Sequence, residues 1–320
     1  MKILIILPNW LGDALMATPA IEVLSNTYPD AKFTFIGSAV SIEALKYHPK
    51  CEAYYIDKTK QKGSRVVNTY KFAKKLGLFD MAVSFRNQPH VSLFLKFIKA
   101  RLSCTRSAWH SKILLDKTLK VSTDKHLVLQ YKDIATCSNN TDAPPLKLYI
   151  KKHNFKHPTL GINAGATYGS AKRWLPKRFA QVAAYFSSQF DIVIFGSKNE
   201  ENTAIEIVDE LKRLHVNNYT NLAGKTDIKE LCSFVGGCSF FITNDSGPMH
   251  IASAYQVPTV SIFGPTRFTE TSQWKNSKSK LVRHDLKCSP CMRRECPLKH
   301  HDCMNKVTTN EVIQAAKAIT

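Results

Sequence analysis

Short apolar runs alternate with amphipathic stretches along the first half of the chain. The runs are bounded by Pro, Gly or charged residues, as expected for buried strands, and occupy 3–7, 33–36, 54–56 and 81–85. Apolar residues recur at helical spacing from Asp13 onward and again over 42–47 and 66–76. Because strands that alternate with helices pair in parallel, this half predicts a doubly wound α/β unit.

The same alternation restarts in the second half, after a segment of different composition. Residues 137–145 are rich in Asn, Thr, Asp and Pro, and 151–157 are basic without apolar periodicity, which predicts a domain boundary within 145–157. Strand-like runs follow at 159–162, 192–195, 240–243 and 259–263, with helical patterns at 179–186, 204–214, 231–235 and 250–254. Thr308 to Glu311 is a start signal for a closing helix. We therefore expect two Rossmann-like doubly wound domains, 1–150 and 151–320.

The composition is that of a folded, soluble protein. The 320 residues are 44% hydrophobic and 22% charged. No apolar run approaches the roughly 18 residues needed to span a bilayer, and the run after Lys2 is too short for a secretory signal. We therefore expect a cytoplasmic protein.

A strong excess of basic residues narrows the choice of partners. The sequence has 45 Lys and Arg against 25 Asp and Glu, a net charge of +20, and most of the excess lies within 1–155. The densest basic stretch comprises Lys58, Lys60, Lys62, Arg65, Lys71, Lys74 and Lys75. Such a stretch suits nucleic acid, an anionic membrane surface or a phosphorylated substrate, and equally the solvated face of a helix.

The nine cysteines fall into two groups. Five have no regular spacing and are predicted to be free, buried thiols of a reducing compartment: Cys51, Cys104, Cys137, Cys232 and Cys238. The other four follow the pattern Cys288-x2-Cys291-x4-Cys296-x6-Cys303, with His300 and His301 between them. That spacing fits a structural zinc or iron–sulfur site, and also reduced thiols or disulfides formed in air. Because the second CxxC of a zinc ribbon is missing, we assign no metal ligands.

The loop after the first predicted strand carries a candidate general base. Ligands of open parallel sheets bind beyond the carboxyl ends of the strands, which directs attention to this loop. Gly12 would allow a tight turn there, and Asp13 stands at the head of the helix. Asp13 is either a base at an interdomain cleft or an ordinary helix N-cap. Trp10 is either a sugar platform or a packed ring.

Two loops of the second half could bind phosphate oxygens. Residues 161–167 are small and lie close to Lys172, although they match neither GxxxxGK[ST] nor GxGxxG. The strand at 240–243 runs into Asp245, Ser246 and Gly247, whose N–H groups at a helix start would attract an anion. The alternative is a well-capped helix, with Asp245 or Ser246 as N-cap and His250 packed one turn later. Two such sites would suit the diphosphate of a nucleotide sugar.

Taken together, five segments resemble the lipopolysaccharide heptosyltransferases. They occur in order over both halves of the chain, and the resemblance is strongest to the branch that adds the second heptose. The segments are Asn9-Trp10-Leu11-Gly12-Asp13, Gly165 to Trp174 with its core Ala171-Lys172-Arg173-Trp174, Phe195-Gly196-Ser197, Asn221-Leu222-Ala223-Gly224-Lys225-Thr226 and Thr243-Asn244-Asp245-Ser246-Gly247-Pro248-Met249-His250. The cysteine pattern is not general to that family and is the clearest departure from it.

The resemblance implies a GT-B fold with a cleft between an acceptor-binding domain, 1–150, and a donor-binding domain, 151–320. The donor would be ADP-L-glycero-D-manno-heptose, and the acceptor the first heptose of the inner core, in heptosyl-Kdo2-lipid A at the cytoplasmic face of the inner membrane. Asp13 would be the catalytic base, with Trp10 and Gly12 beside the acceptor. Lys172 would face the donor phosphates, and the other donor-binding residues would be Thr167, Asp245, Ser246, Gly247 and His250. The resemblance further implies inversion of the anomeric carbon. We also expect the protein to be a monomer.

The chemistry of such a site needs no cofactor. A carboxylate can take the proton of the attacking sugar hydroxyl, and a lysine with helix-start N–H groups can stabilise the leaving diphosphate. Two alternatives remain open from the sequence. One is another GT-B enzyme acting on a nucleotide sugar, such as an epimerase. The other is a basic protein that binds nucleic acid through a cysteine-clustered metal module.

Overall fold

The computed structural model describes residues 1–61, 63–115 and 117–319. The chain forms two compact units, Met1–Tyr149 and Ile150–Thr320. Each unit contains one all-parallel sheet with helices connecting its strands. Among the described residues, no helix is both long and apolar enough to cross a membrane.

The sheet of the first unit has five parallel strands in the order β3-β2-β1-β4-β5. They are β1 (Lys2–Ile6), β2 (Lys32–Gly37), β3 (Cys51–Ile56), β4 (Met81–Ser84) and β5 (Leu102–Thr105). The strand order reverses between β1 and β4. The chain first adds β2 and β3 on one side of β1, and then crosses over to add β4 and β5 on the other side of β1. Such a reversal opens a crevice at the carboxyl ends of the two central strands.

In the described part of this unit, seven helices accompany the sheet. They are α1 (Leu11–Met16), α2 (Thr18–Thr27), α3 (Ala39–Leu45), α4 (Arg65–Leu76), α5 (Pro89–Ile98), α6 (Trp109–Leu114) and α7 (Leu127–Thr136). The sequence pattern suggested one helix from Asp13 onward, but the structure divides it at Ala17. Pro19 has no N–H to donate to the carbonyl of Leu15, and the Thr18 hydroxyl donates to it instead at 2.7 Å.

The sheet of the second unit has six parallel strands in the order β11-β10-β9-β6-β7-β8. They are β6 (Thr159–Asn163), β7 (Asp191–Phe195), β8 (Tyr219–Asn221), β9 (Phe240–Asn244), β10 (Thr259–Ile262) and β11 (Ser279–Val282). This is the Rossmann strand order, with its reversal between β6 and β9.

The helices of the second unit pack on both faces of that sheet. They are α8 (Pro176–Phe186), α9 (Glu201–Arg213), α10 (Ile228–Gly237), α11 (Gly247–Ala254), α12 (Phe268–Thr271), α13 (Asp302–Asn305) and α14 (Thr309–Lys317). Short 3₁₀ turns span Ser170–Lys172 and Lys198–Glu200. A large apolar core, which includes Trp174, Phe179 and Phe240, holds the layers together. The predicted closing helix is confirmed as α14, with Thr308 and Glu311 forming a capping box.

One expectation about the cysteines is wrong. Cys104 and Cys137 form a disulfide, with Cα atoms 6.1 Å apart, because α7 packs against β5 and brings its last turn to that strand. Cys232 and Cys238 are buried free thiols, as expected, while Cys51 is only half-buried. Burial raises the pKa of Cys51 to about 11 and that of Cys232 to about 12. These two thiols therefore stay protonated and unreactive at neutral pH.

Candidate functional site

The carboxyl ends of β6 and β9 are neighbours at the strand reversal of the second sheet. Asn163 ends β6 and Asn244 ends β9, and both side chains are buried. The loop after β6 leads to the 3₁₀ turn that carries Lys172, and the loop after β9 leads into α11. The segments that the sequence predicted to bind the donor therefore lie together at this edge of the sheet.

Lys172 and Asp245 form a largely buried ion pair at this edge. The Lys172 Nζ lies 2.5 Å from Asp245 Oδ2, and the two side chains are 12% and 5% exposed. Thr266, which follows β10, donates its hydroxyl to the same carboxylate oxygen at 2.6 Å. The carboxylate thereby holds the ammonium in one place, while an ammonium has two further N–H donors.

The ring of Tyr168 supports Lys172 from a second side. The Lys172 Nζ lies 4.7 Å from the ring centroid, within the range of a cation–π contact. The Tyr168 hydroxyl in turn donates to the carbonyl of Met292 at 2.7 Å. Lys172 is consequently held in place by an anion on one side and by an aromatic face on another.

Asn244 joins the two loops through its side-chain amide. Its Nδ2 donates to the carbonyl of Ala164 at 2.6 Å, and its Oδ1 accepts the backbone N–H of Trp174 at 3.1 Å. Trp174 is fully buried and donates its indole N–H to the carbonyl of Val307. The segment that carries Lys172 is thus held between the sheet and the carboxy-terminal part of the unit.

Ser246 and Gly247 stand at the start of α11, as predicted. Ser246 occupies the N-cap position and Gly247 the first helical position, but the Ser246 side chain makes no capping hydrogen bond. Its hydroxyl instead accepts from the Asn163 amide at 3.2 Å. The alternative of Asp245 as N-cap is therefore wrong. His250 lies within α11 and is buried, which agrees with a packed side chain.

Gly165 is required where the loop after β6 approaches Glu200. A Cβ atom at Gly165 would clash with the carboxyl group of Glu200. That carboxylate is buried and accepts from the backbone N–H and the hydroxyl of Ser197, at 2.8 and 2.9 Å. Thr167, two residues beyond Gly165, is exposed on the same loop. The loop is therefore anchored at one end, with Thr167 open to solvent.

The cysteine-rich loop packs against the segment that carries Lys172. Arg294 accepts the backbone N–H of Ala171 at 3.0 Å through its carbonyl, and the His301 imidazole bonds the carbonyl of Ala171 at 2.9 Å. Residues Cys288, Cys291, Cys296 and Cys303 line one cavity with His300 and His301. No group of three or more His, Cys, Asp and Glu side chains in the described ranges is arranged to hold a metal ion. For these four cysteines, a structural metal site and a set of reduced thiols both stay predictions.

In the first unit, Trp10, Gly12 and Asp13 follow β1 at the strand reversal. Trp10 is 54% exposed and takes the N-cap position of α1, so Asp13 is the third helical residue and the N-cap interpretation of Asp13 is wrong. Gly12 lies inside the helix rather than in a tight turn, because α1 starts two residues earlier than the apolar pattern suggested. Trp10 therefore presents its ring to solvent, while Asp13 projects from the first turn.

The surroundings of Asp13 include a buried phenol. Burial raises the pKa of the Tyr131 hydroxyl well above its usual range, the Asp13 carboxylate raises it further, and Arg106 opposes the shift. These three side chains are thus close enough to interact electrostatically. Tyr131 stays a neutral hydrogen-bonding group beside the carboxylate at physiological pH.

Sequence reasoning missed several side chains that shape the site. Thr266, Asn163 and Tyr168 contact the predicted residues, and Glu200 fixes the loop that begins the site. Asn163 and Thr266 had a usable signal, because each follows an apolar strand at the carboxyl edge of the sheet. Glu200 had one too, because Ser197-x-x-Glu200 is a capping-box pattern, whereas the contact of Glu200 with Gly165 and the bond from Tyr168 to Met292 join residues that are distant in sequence.

Comparison with known proteins agrees with this arrangement. Residues 69–301 match the model of glycosyltransferase family 9 (heptosyltransferase). Lipooligosaccharide heptosyltransferase 2 of Campylobacter jejuni serotype O:2 is 40% identical over 328 residues, which cover 99% of this chain and 98% of that protein.

Solved structures agree in fold. The structure of E. coli ADP-heptose LPS heptosyltransferase II aligns with a TM-score of 0.84 at 22% identity, covering 100% of this chain and 98% of that one. E. coli heptosyltransferase WaaC with ADP-2-deoxy-2-fluoro heptose aligns with a TM-score of 0.75 at 16% identity, covering 100% of both chains. The predicted GT-B class of two doubly wound domains is confirmed. The chain belongs to glycosyltransferase family 9, the heptosyltransferases.

Proposed function

We propose that this enzyme transfers L-glycero-D-manno-heptose from its ADP conjugate to the first heptose of the lipopolysaccharide inner core, with inversion of the anomeric carbon. Family membership makes the protein a glycosyltransferase, and its relatives are heptosyltransferases of the lipopolysaccharide core. The observation that carries the proposal is the Lys172–Asp245–Thr266 cluster. It holds a cation at the sheet edge where doubly wound folds bind nucleotides.

The donor's diphosphate is the group that this cluster suits. Lys172 keeps two N–H donors beyond its bond to Asp245, and Ser246 and Gly247 begin a helix whose positive end favours an anion. As the bond between the sugar and the phosphate breaks, the leaving ADP gains negative charge. A lysine already fixed by Asp245 and Tyr168 stabilises that charge without reorganising. Thr167, Gly247 and His250 complete the proposed donor-binding set.

Asp13 is the proposed base for the acceptor hydroxyl. It projects from the first turn of α1 after β1, beside the exposed ring of Trp10. A general base that removes the proton while the hydroxyl attacks typically increases the reaction rate by about 10²–10⁴-fold. The proposal requires neither a metal ion nor an organic cofactor, because base and leaving-group stabilisation come from the chain itself.

The outer face of α4 supports the proposed peripheral association with the inner membrane. It exposes Val66, Val67 and Tyr70 alongside Lys71, Lys74 and Lys75. A helix with exposed apolar and cationic side chains suits an anionic lipid surface, and each lysine near such a surface contributes about 1 kcal/mol. Arg65 is half-buried instead, and Lys62 lies outside the described residues.

An ADP-release assay with purified components tests the proposal. Heptosyl-Kdo2-lipid A should release ADP from ADP-L-glycero-D-manno-heptose, whereas Kdo2-lipid A, which lacks the accepting heptose, should not. Activity on Kdo2-lipid A alone would assign the enzyme to the preceding transfer. A change of the donor sugar without any acceptor would instead indicate an epimerase.

A further inference from the structure

Two large apolar side chains project into solvent from α6. Trp109 is 72% exposed and Ile113 is 74% exposed. They are four residues apart, so they lie on the same face of the helix, and we call this pair the α6 patch. Lys112 beside them is exposed as well. Apolar residues exposed singly are ordinary, whereas neighbouring ones form the kind of patch that marks an interaction surface.

The opposite face of α6 fixes the direction of this patch. His110 and Ser111 are buried on that face. The His110 Nδ1 lies 2.8 Å from the hydroxyl of Ser92, which belongs to the first turn of α5. The helix is therefore fastened to α5 by its polar side, and the α6 patch faces away from the unit.

Exposed apolar side chains of α4 extend the surface, because α5 contacts both α4 and α6. α4 and α5 cover one face of the sheet through a shared core, and the rings of Tyr70 and Phe97 lie 5.2 Å apart. The amino-terminal half of α4 exposes Val66, Val67 and Tyr70. Three neighbouring helices thus carry exposed apolar or cationic side chains on one side of the unit.

This part of the chain is almost free of acidic residues. From Arg65 to Leu114 the sequence has ten Lys and Arg and one carboxylate, Asp80. Asp80 immediately precedes β4 and accepts the backbone N–H of Lys2 at 2.8 Å, so it lies at the amino edge of the sheet. Apolar and cationic side chains without anionic ones complement the acyl chains and phosphates of an anionic bilayer.

We propose that Trp109 and Ile113 insert into the cytoplasmic leaflet of the inner membrane, at the level between the lipid headgroups and the acyl chains. Tryptophan is enriched at this level of membranes, because its ring is apolar and its indole N–H is polar. The inference rests on the proposed function for the choice of membrane. It adds an apolar anchor on α6 to the cationic face of α4.

The place of α6 in the fold connects this anchor with the reaction. β1 and β5 are parallel strands of one sheet, and α1 and α6 begin after their carboxyl ends. Both helices therefore start at the same edge of the sheet, which also carries Asp13. A bilayer bound there would present the sugars of a glycolipid to that edge.

Fluorescence of the full-length enzyme with vesicles tests the insertion. The vesicles contain phosphatidylethanolamine and phosphatidylglycerol, with or without brominated acyl chains. The chain has four tryptophans, and Trp109→Phe identifies the contribution of Trp109. Wild-type emission should shift to shorter wavelength and be quenched by the brominated lipid, and Trp109→Phe should lose most of both changes. An equal response in Trp109→Phe, or none in the wild type, would overturn the insertion.

Sedimentation with the same vesicles measures what the apolar anchor contributes. Ile113→Ser should weaken binding about tenfold, because it removes apolar area that the lipid would cover. The ratio should persist at high salt, which screens the lysines but not the apolar contact. Ile205→Ser is the matched control, since Ile205 is 50% exposed on α9 of the second unit, and it should bind normally. Equal vesicle binding by Ile113→Ser and the parent would overturn the proposal.

A second copy of this chain is the competing occupant of the α6 patch. Sedimentation velocity without lipid should show a monomer for both the parent and Ile113→Ser. A dimer that dissociates in Ile113→Ser would overturn the membrane surface and assign the patch to self-association.

Vesicle binding is measured without donor or acceptor, so it is independent of heptosyl transfer. An enzyme that transfers heptose but does not bind vesicles would overturn the anchor and retain the proposed function. Binding that depends on Trp109 and Ile113, in an enzyme inactive in transfer, would retain the anchor and reject the proposed function.

Discussion

Replacing Lys172 with Ala separates two roles that the structure gives this side chain. The ammonium is bonded to Asp245 at 2.5 Å, and both side chains are nearly buried. Loss of a hydrogen bond from a charged group to the donor diphosphate should weaken ADP binding by about 1.5–3 kcal/mol. That range corresponds to about a 10- to 150-fold rise in the dissociation constant.

The same substitution leaves Asp245 buried with the Thr266 hydroxyl as its remaining described partner. Removing one member of a buried pair costs about 3–5 kcal/mol of folding stability. The double variant Lys172→Ala/Asp245→Asn removes the unpaired charge. It should therefore recover most of the stability without recovering ADP affinity.

Calorimetry of ADP binding and thermal unfolding of both variants provide the two readouts. Lys177→Ala is the matched control, because Lys177 is an exposed lysine of the same unit. An unchanged ADP dissociation constant in a folded Lys172→Ala protein would refute the reasoning. So would a double variant that regained normal affinity, since the effect would then come from the unpaired carboxylate.

Three further predictions concern other parts of the chain. Asp13→Asn should lower turnover by about 10²-fold or more while leaving ADP affinity intact, as measured by steady-state kinetics and calorimetry; a tenth of wild-type turnover would exclude a base. Glu22→Gln should cost about 1–3 kcal/mol at pH 7. Burial opposes ionisation of Glu22, but bonds from His48 and Tyr149 and the charge of Lys147 hold its pKa below the usual 4.5. The stability that the carboxylate provides is therefore present above pH 4.5 and lost as pH falls through the lowered pKa, so denaturation curves of variant and parent should converge in acid. Replacing Lys71, Lys74 and Lys75 with Gln should weaken sedimentation with anionic vesicles at low salt, and equal binding would remove α4 from the membrane surface.

The parts of the fold that the sequence predicted are those with a clear local signal. The β1 run and the α14 start signal needed only local chemistry, and both are confirmed. The short strands β5 and β8 were missed because they carry few apolar residues, and neighbouring strands rather than local pattern stabilise them.

In the candidate site, too, the sequence predicted individual residues but not the long-range contacts between them. Lys172 and Asp245 stood in recognisable segments, but their pairing depends on the β6–β9 reversal, and Thr266 joins them only because β10 lies beside β9. Arg65 was grouped with a solvated basic stretch, although its position at the start of α4 buries it partly beside Arg86. Such long-range neighbours follow from strand order, which no local pattern contains.

NMR analysis of the reaction product tests the central claim most directly. The enzyme is incubated with ADP-L-glycero-D-manno-heptose and heptosyl-Kdo2-lipid A, and the linkage and anomeric configuration of the product are determined. The account predicts one added heptose, joined to the first heptose, with the anomeric configuration opposite to that of the donor. A retained configuration, or a heptose attached to another sugar, would contradict it.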